Sequence, residues 1–344
     1  MNARALLIAL FCLLPLPGLA QGFSGLGQTA DGFALPDPDT RFRYPQDHGA
    51  HPAFRIEWWY LTANLTGPDG TPYGIQWTLF RNALAPGGAP EDQVWMGHAA
   101  VATPDGHLFT ERLARGGIGQ AGVTATPFNA FIDEWAMEGL DLGNITLVAQ
   151  GADFRYDLTL TTQMPFVAQG AEGYSVKSEA GQASHYYSQP FYDVTGVLTL
   201  PSGPVEVTGK GWLDREWSSQ PLASDQIGWD WISLHFEDGA KMMGFQLRDT
   251  GGGTYTTGTW ITSEGVPEPL GPDALQMAEV DTAEVAGRMV PVVWDVALPA
   301  KGVELRIEAI YPESWMGTRI AYWEGPVRIT GSHKGEGYLE MSGY

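Results

Sequence analysis

The amino-acid sequence predicts an all-β protein built from two β-barrel or β-sandwich domains in tandem. Its composition is rich in turn-forming and aromatic residues, with 44 Gly, 24 Pro, 13 Trp, 13 Tyr and 14 Phe among 344 residues. Short segments of strand length recur between glycine-containing turns along the whole chain. One hairpin pattern occurs twice, about half a chain apart. Many short strands joined by tight turns are typical of sandwiches and barrels.

The strand-like segments are spread along the chain. Turns at 68–70 (Pro-Asp-Gly) and 237–239 (Glu-Asp-Gly) supply the positive φ that hairpin connections require. Two stretches, 130–134 and 273–276, are instead typical of short helices. In chain order the predicted strands are 58–65, 73–80, 144–149, 154–161, 194–200, 205–212, 229–236, 242–247, 254–261, 292–298, 303–309 and 321–329.

The repeated hairpin predicts the domain organisation. The aromatic segment 58–65 is followed by an Asp-Gly turn and a strand that carries Gly-Ile-Gln. The aromatic segment 229–236 is likewise followed by an Asp-Gly turn and a strand that carries Gly-Phe-Gln. We expect two related domains, residues 21–180 and 181–344, divided within the polar, glycine-rich stretch between Pro165 and Gln189. Chance similarity of two hairpins is the alternative.

Residues 1–20 have the three parts of a signal peptide. A positive charge at Arg4 precedes an apolar run, and small residues around Ala20 match a cleavage site. The apolar run is shorter than the ~20 residues that span a bilayer, and no later segment is long and apolar enough. We therefore expect a periplasmic or secreted mature chain without a transmembrane segment, and an export or lipid-transport system is a candidate partner. Cys12, the one cysteine, falls within the signal peptide, so we expect no disulfide in the mature chain.

Charge and motif content exclude several classes of function. The formal net charge of −21 repels nucleic acid, so we expect no nucleic-acid partner. The sequence contains no Gly-x-Ser-x-Gly elbow, no phosphate-binding loop and no dinucleotide fingerprint. His48 and His51 are close in sequence, but no further clustered histidine or cysteine completes a zinc set. We therefore expect neither a metal nor a cofactor.

The tryptophan-rich strands predict an aromatic interior. Because side chains alternate between the two faces of a strand, Trp229 and Trp231 share one face and Asp230 takes the other. A barrel of about eight strands is wide enough for one small ligand, and aromatic walls suit an apolar one. The alternative is that these side chains only fill the core. Candidate ligand-binding residues on these strands are Trp58, Trp59, Tyr60, Trp229 and Trp231.

The segment 211–218 carries more candidate chemistry than any other. Asp214 and Glu216 are two residues apart and therefore share one face of an extended chain, whereas Arg215 points the other way. Interaction between two carboxyl groups raises one pKa, and a protonated carboxyl beside aromatic walls can protonate an alkene. Aromatic faces then stabilise the resulting cation. The alternative is a turn in which the carboxylates accept backbone N–H bonds and Arg215 forms a structural ion pair.

His235 is a further candidate catalytic residue. It alternates in register with Trp231 along one strand, so it shares a face with that tryptophan. On that face it can assist Asp214 in proton transfer. The alternative is a histidine whose hydrogen bonds are satisfied in the core or at the surface.

Four separated motifs resemble the AttH-like family, which also contains the carotenoid 1,2-hydratases. The motifs are Arg-Ile-Glu-Trp-Trp-Tyr at 55–60, Gly-Trp-Leu-Asp-Arg-Glu-Trp at 211–217, Gly-Trp-Asp-Trp at 228–231 and Gly-Glu-Gly-Tyr-Leu-Glu-Met-Ser-Gly-Tyr at 335–344. The likeness runs in order over residues 44–344. It implies two lipocalin-like β domains in tandem, in agreement with the repeated hairpin.

The resemblance also implies a chemistry and a set of site residues. The hydratases add water across the terminal double bond of an acyclic carotenoid, without a cofactor, through acid-initiated carbocation chemistry. Asp214 occupies the aspartate of the family motif and is the implied acid. The hydratases act on a pigment of the cytoplasmic membrane, whereas this chain begins with an export signal. The implied cavity walls are Trp212, Trp217, Trp229, Trp231 and Tyr187.

Two hypotheses follow from the sequence. The first is an exported binding protein for an apolar small molecule, such as an isoprenoid or another lipid, and it predicts an aromatic cavity that no carboxyl pair faces. The second is a hydro-lyase or isomerase, and it predicts a buried Asp214 or Glu216 that faces the cavity with a raised pKa. The sequence alone favours binding. It identifies neither the ligand nor the oligomeric state, and it leaves open whether one or both domains bind.

Overall fold

The chain folds into two curled antiparallel sheets that pack against each other. The structure, a computed structural model, describes residues 29–344, so the predicted signal peptide lies outside the described residues. The all-β prediction is confirmed, because strands β1–β13 form one sheet and β14–β23 form the other. Within residues 29–344, no helix has the length and apolar character needed to cross a membrane.

The first sheet comprises β1 (Ile56–Thr66), β2 (Pro72–Ala83), β3 (Gln93–Thr103), β4 (Gly106–Arg115), β5 (Ala121–Ala125), β6 (Phe128–Ile132), β7 (Trp135–Gly139), β8 (Asn144–Gln150), β9 (Arg155–Thr161), β10 (Val167–Ala168), β11 (Tyr174–Val176), β12 (Ala183–Leu200) and β13 (Gly203–Ser218).

The second sheet comprises β14 (Gln226–Phe236), β15 (Lys241–Asp249), β16 (Thr254–Ile261), β17 (Pro267–Leu270), β18 (Gln276–Val285), β19 (Arg288–Leu298), β20 (Val303–Ala309), β21 (Trp315–Met316), β22 (Tyr322–Gly331) and β23 (Gly335–Met341). Short 3₁₀ helices lie at Gln46–His48, Pro90–Asp92 and Pro299–Lys301.

The two sheets share one connectivity. In the first, the strand order is β4-β3-β2-β1-β13-β12-β9-β8-β7-β6-β5, and in the second it is β17-β16-β15-β14-β23-β22-β20-β19-β18. In each sheet the first strand pairs with the second strand and with the last. The two hairpins that repeat in the sequence, β1–β2 and β14–β15, therefore occupy equivalent places.

Each sheet encloses its own hydrophobic core. The first curls so that β6 contacts β2, β3 and β4, and Trp59, Leu61 and Trp135 are buried inside it. The second encloses Ile232 and Trp294 in the same way. Strands that face solvent on one side show the expected alternation, as in β20, where every second residue is buried.

Strands β1 and β13 depart from this alternation because the second sheet covers their outer faces. Nearly all of β1 is buried, with Leu61 inside the first core and Tyr60 against the second sheet. The amide of Asn64 on β1 donates to the backbone oxygen of Gly337 on β23 at 2.8 Å. The two sheets therefore meet over the outer faces of their first and last strands.

The division between the sheets differs from the predicted boundary at 180/181. Strands β12 and β13 belong to the first sheet, so the chain passes to the second sheet only within residues 219–225. The glycine-rich stretch that was predicted to separate the domains carries β10 and β11, which pair with β12. This polar stretch packs on its own sheet and does not link two domains.

Candidate active site

A cavity of about 120 Å³ lies between the outer faces of the two sheets, outside both hydrophobic cores. That volume is roughly ten times what one water molecule needs, so a small apolar group can enter. Residues of the connecting segment, Pro221 and Leu222, complete the lining. The aromatic walls are Trp58, Tyr60, Phe80 and Tyr186 from the first sheet, and Trp229, Trp231, Phe245 and Tyr322 from the second.

Asp214 lies on the cavity wall and is 2 % exposed. Its Oδ1 accepts hydrogen bonds from Ser188 Oγ at 2.5 Å and from Trp212 Nε1 at 2.6 Å, and its Oδ2 accepts from Tyr186 Oη at 2.6 Å. Burial raises the pKa of Asp214 to about 7, because these neutral donors only partly offset the loss of solvation and Glu216 adds to the rise. Near neutral pH this carboxyl group therefore carries a proton for part of the time.

The donors to Asp214 are themselves held in place. Trp231 Nε1, on the second sheet, donates to Tyr186 Oη at 3.2 Å. Gln169 Nε2 donates to Ser188 Oγ at 2.7 Å. The hydrogen bonds around the acid therefore extend from the first sheet across the interface, and they fix the carboxyl group against the cavity.

Glu216 shares the cavity wall with Asp214, as their spacing on β13 predicts. Its Oε1 lies 2.9 Å from Lys177 Nζ and also accepts a hydrogen bond from the Ser184 hydroxyl. The ammonium group of Lys177 lies 4.2 Å from the ring centre of Phe245. The charge of Glu216 is therefore matched by a cation beside the cavity, whereas Asp214 has only neutral donors.

The second sheet contributes its own carboxyl groups. Glu340, on the cavity wall, accepts a hydrogen bond from Trp229 Nε1 at 2.6 Å, and burial raises its pKa to about 7. Glu324 accepts a hydrogen bond from the Tyr60 hydroxyl, and burial raises its pKa well above the usual value, with a further rise from Glu340. Glu340 thus lies on the cavity lining, and Glu324 lies buried beside it.

Several predicted site residues lie together on this cavity. They are Trp58, Tyr60, Asp214, Glu216, Trp229 and Trp231. Trp212 is not on the lining, but it supports the site because its indole donates to Asp214. These residues share the outer faces of β1, β13 and β14, as their alternation along the chain requires.

Three other predicted wall residues lie away from the cavity. Trp59 is inside the core of the first sheet. Trp217 and Tyr187 pack against Phe42 of the N-terminal segment, with ring centres 5.4 and 5.3 Å from it. Each of the three is the immediate neighbour of a lining residue, and a shift by one position along a strand reverses the face.

His235 also lies off the cavity lining. Its ring packs edge-on against Trp212, with ring centres 5.7 Å apart, and no hydrogen-bond partner of its Nδ1 is present among the described residues. Burial lowers its pKa well below the usual value, with a further lowering by Lys241 and Lys210, so the ring is neutral. His235 therefore supports the indole that donates to Asp214 and does not reach the cavity itself.

Arg215 forms a structural ion pair, as in the alternative given for segment 211–218, although Asp214 and Glu216 line the cavity. Its Nη2 lies 2.8 Å from Glu57 Oε1, on the face of β13 opposite to Asp214. Arg81 Nε lies 3.0 Å from the other oxygen of Glu57, and His51 Nδ1 lies 2.6 Å from Oε1. Because Arg215 is engaged there, it does not neutralise Asp214.

Sequence reasoning missed several residues that the structure brings to the site. Tyr186 and Ser188 alternate on β12, which pairs with β13 beside Asp214. The period of a strand places both on one face, but the sequence did not predict that β12 pairs with β13. Glu340 lies within the closing motif at 335–344, which was used only for the family resemblance. Lys177 follows β11 in the stretch that was interpreted as a domain boundary, and nothing in the local pattern indicated its role.

Comparison with known proteins agrees with this architecture. The model of the AttH-like family matches residues 35–344. An AttH crystal structure from Nitrosomonas europaea is 33% identical, with a TM-score of 0.83 over 91% of this chain and 99% of that chain. The crystal structure of kievitone hydratase from Nectria haematococca is 14% identical, with a TM-score of 0.64 over 90% of this chain and 98% of that chain, and shows a shared fold. No curated protein sequence matches. The predicted resemblance is confirmed, and the chain belongs to the AttH-like family.

Proposed function

We propose that the protein is an acid-initiated hydro-lyase or isomerase that acts on an apolar alkene of isoprenoid type. The observation that carries this proposal is Asp214, a buried carboxyl group on an aromatic cavity wall whose pKa burial raises to about 7. A general acid works best when its pKa lies near the working pH. The proposal assigns Asp214 the role of the acid.

The reaction begins with proton transfer from Asp214 to one alkene carbon. The carboxyl O–H bond breaks as the π electrons form the new C–H bond, and the neighbouring carbon becomes cationic. The faces of Trp58, Trp229 and Trp231 line the cavity where this charge develops. Cation–π attraction contributes about 2 kcal/mol or more where the groups are desolvated. Addition of water to the cation completes a hydration, and loss of a neighbouring proton completes an isomerisation.

The carboxyl pair supports the second of the two hypotheses drawn from the sequence, the hydro-lyase or isomerase. A carrier of an apolar molecule was expected to have a cavity that no carboxyl pair faces, yet Asp214 and Glu216 both lie on the wall. Burial of carboxyl groups beside an apolar ligand costs free energy and contributes nothing to the binding of that ligand. A structural neighbour of the same fold is named a hydratase, which is the reaction class proposed here.

We also propose that the protein is exported. Residues 1–20 have the composition of a cleavable signal peptide, which favours a periplasmic or secreted site of action. In that compartment an apolar substrate reaches the cavity from a membrane or from a lipid-transport partner. We therefore propose an exported enzyme whose substrate is an apolar small molecule.

The test is isotope incorporation by the purified protein. Farnesol and detergent-dispersed lycopene are incubated in D₂O, and deuterium in the recovered probe or its alcohol is measured by mass spectrometry. We expect incorporation by the wild-type protein and a loss of at least about 100-fold in Asp214→Asn, which is the lower range of a general acid's contribution.

Asp230→Asn is the matched control. Asp230 is also a buried carboxyl group with a pKa raised by burial, to about 6, but it pairs with Arg248 and does not line the cavity. We expect this variant to keep its incorporation. Equal incorporation by wild type and Asp214→Asn would contradict the proposal. Recovery of a bound lipid from a wild-type protein that labels neither probe would identify a carrier instead.

A further inference from the structure

We infer that Glu340 is a second catalytic residue, the base that accepts a proton from the attacking water on the cavity wall opposite Asp214. This inference rests on the proposed function of Asp214, and it extends the site to the second sheet. Hydration needs two proton transfers, one to the alkene and one from water. The structure places one carboxyl group on each of the two walls, the buried Asp214 and the half-buried Glu340.

The two walls of the cavity belong to different sheets. Asp214 belongs to β13 in the first sheet and Glu340 to β23 in the second, and both line the same cavity. Hydrogen bonds across the interface, from Trp231 to Tyr186 and from Tyr60 to Glu324, hold the walls together. A substrate in the cavity therefore has one carboxyl group on each side.

Two glutamates, Glu216 and Glu340, lie on the cavity lining and differ in their partners. Glu216 is paired with Lys177 Nζ at 2.9 Å, and this cation holds its carboxylate. Glu340 forms no salt bridge within residues 29–344 and accepts its hydrogen bond from the neutral indole of Trp229. A carboxylate without a cationic partner is the stronger proton acceptor of the two.

The groups that face Glu340 affect its pKa. Burial raises its pKa to about 7, against the hydrogen bonds from Trp229 and Tyr60, and Glu216 raises it further. Burial and the proximity of Glu340 raise the pKa of Glu324 well above its usual value, which favours the protonated form of Glu324. The titratable groups that face Glu340 are Glu216 on β13, Tyr60 on β1, and Tyr322 and Glu324 on β22.

Asp214 and Glu340 together account for both proton transfers of a hydration. Asp214 loses its proton to the alkene, and a lone pair of the water oxygen forms the new C–O bond with the cation. One O–H bond of that water then breaks, and its proton moves to the carboxylate of Glu340. The product is an alcohol, and the cycle closes when Glu340 releases a proton to solvent and Asp214 takes one up.

The pH profile of deuterium incorporation tests this assignment. Because the base must be deprotonated and the acid protonated, the wild-type rate of deuterium incorporation is expected to depend on pH in a bell-shaped curve centred near neutral pH. Glu340→Gln is expected to lower the rate by about 100-fold and to abolish the fall at low pH, since that limb reports protonation of the base. An unchanged low-pH limb in Glu340→Gln would overturn the inference and leave Asp214 as the acid.

Glu336→Gln is the matched control on the same strand. Burial also raises the pKa of Glu336, but this residue lies near Lys210 and Lys241 and does not line the cavity. We expect it to keep both the rate and the bell-shaped profile. A loss of the low-pH limb in Glu336→Gln would assign that limb to a group other than Glu340.

Infrared difference spectroscopy separates this inference from the proposed function, since it needs no substrate. Titration of the wild-type protein through pH 7 is expected to change a set of carbonyl bands that includes those of Asp214 and Glu340. Glu340→Gln should remove one band and Asp214→Asn the other. Loss of no band in Glu340→Gln would refute the inference even in an active protein. An inactive wild type that shows both bands would instead refute the proposed reaction, and with it the role of Glu340 as its base, while leaving the titration of both groups established.

Discussion

Two buried carboxyl groups of this protein, Glu57 and Asp214, differ in pKa because Glu57 has charged partners and Asp214 has neutral ones. Burial opposes the charged form of Glu57, but the neighbouring charges of His51, Arg215 and Arg81 outweigh it and lower its pKa. Asp214 is equally buried, yet its donors are neutral and burial raises its pKa to about 7. Arg215 follows Asp214 directly in the chain and serves only the opposite face. Alternation along β13 thus separates a structural ion pair from a titrating acid.

The Glu57 network yields a prediction about stability. Glu57→Gln leaves Arg215 and Arg81 buried with an uncompensated charge, so we expect a loss of roughly 3–5 kcal/mol in the free energy of unfolding. Urea unfolding followed by tryptophan fluorescence measures it. Glu268→Gln is the control, because the pair of Glu268 with Lys301 is exposed and is expected to contribute less than about 1 kcal/mol. A similar small change in both variants would contradict the prediction.

The sequence could assign neighbours to opposite faces, but it could not say which face was which. Asp214 and Glu216 were correctly expected on one face and Arg215 on the other. Trp58 and Trp59 are equally aromatic, and both faces of β1 are buried, one by its own core and one by the other sheet. A strand without a polar face gives no pattern from which core and cavity can be told apart.

At the scale of the elements, the contact between β2 and the second sheet is unusually close. A Cβ on Gly74 would lie 2.8 Å from the ring of Pro326 and 2.8 Å from the hydroxyl of Tyr338. The proline ring has little freedom to move, so this position allows the sheets to approach. Glycine at this point of β2 therefore helps to set the separation of the two cavity walls.

We expect Gly74→Ala to destabilise the protein by about 1–3 kcal/mol, the usual range for overpacking a buried contact. Thermal unfolding measures the change. Gly271→Ala serves as the control, since a Cβ there meets no atom within 4 Å. If the two variants unfolded at the same temperature, the sheets would have to tolerate a wider separation than the structure implies.

Two elements show why local patterns mislead. Residues 130–134 are typical of a short helix, yet β6 (Phe128–Ile132) forms there and continues into a turn. Its pairing with β5 and β7 in the first sheet overrides the local preference. The stretch 165–189 has the composition of a linker, yet it supplies Gln169 and Lys177 to the site. In both cases the deciding contacts are with strands that local composition does not reveal.

At the scale of the whole molecule, the raised pKa values make stability depend on pH. Asp214 has a pKa of about 7 when folded, against 3.8 for an ordinary aspartate, and Glu340 has about 7 against 4.5. Between these values the folded protein binds more protons than the unfolded chain, so stability falls as pH rises. The effect of Asp214 is complete above pH 7 and corresponds to roughly 4 kcal/mol.

We therefore expect the wild-type free energy of unfolding to decrease from pH 5 to pH 8, and to decrease less in Asp214→Asn. Urea unfolding across that range measures both slopes. The overall charge of −21 also changes stability with pH, but it is common to both proteins and cancels in the comparison. Parallel slopes would mean that Asp214 is ionised in the folded protein at pH 5.

The position of the cavity outside both cores bears on how such a protein changes over evolutionary time. Side chains of the lining point away from the core of their own sheet, so replacing one alters what the cavity accepts without removing a contact within that core. The core of each sheet and the selectivity of the cavity are thus encoded by alternate residues of the same strands. Substitutions at the cavity-facing positions of a strand can change which substrate is accepted, while the alternate positions keep the core of the sheet. One fold can therefore acquire several reactions.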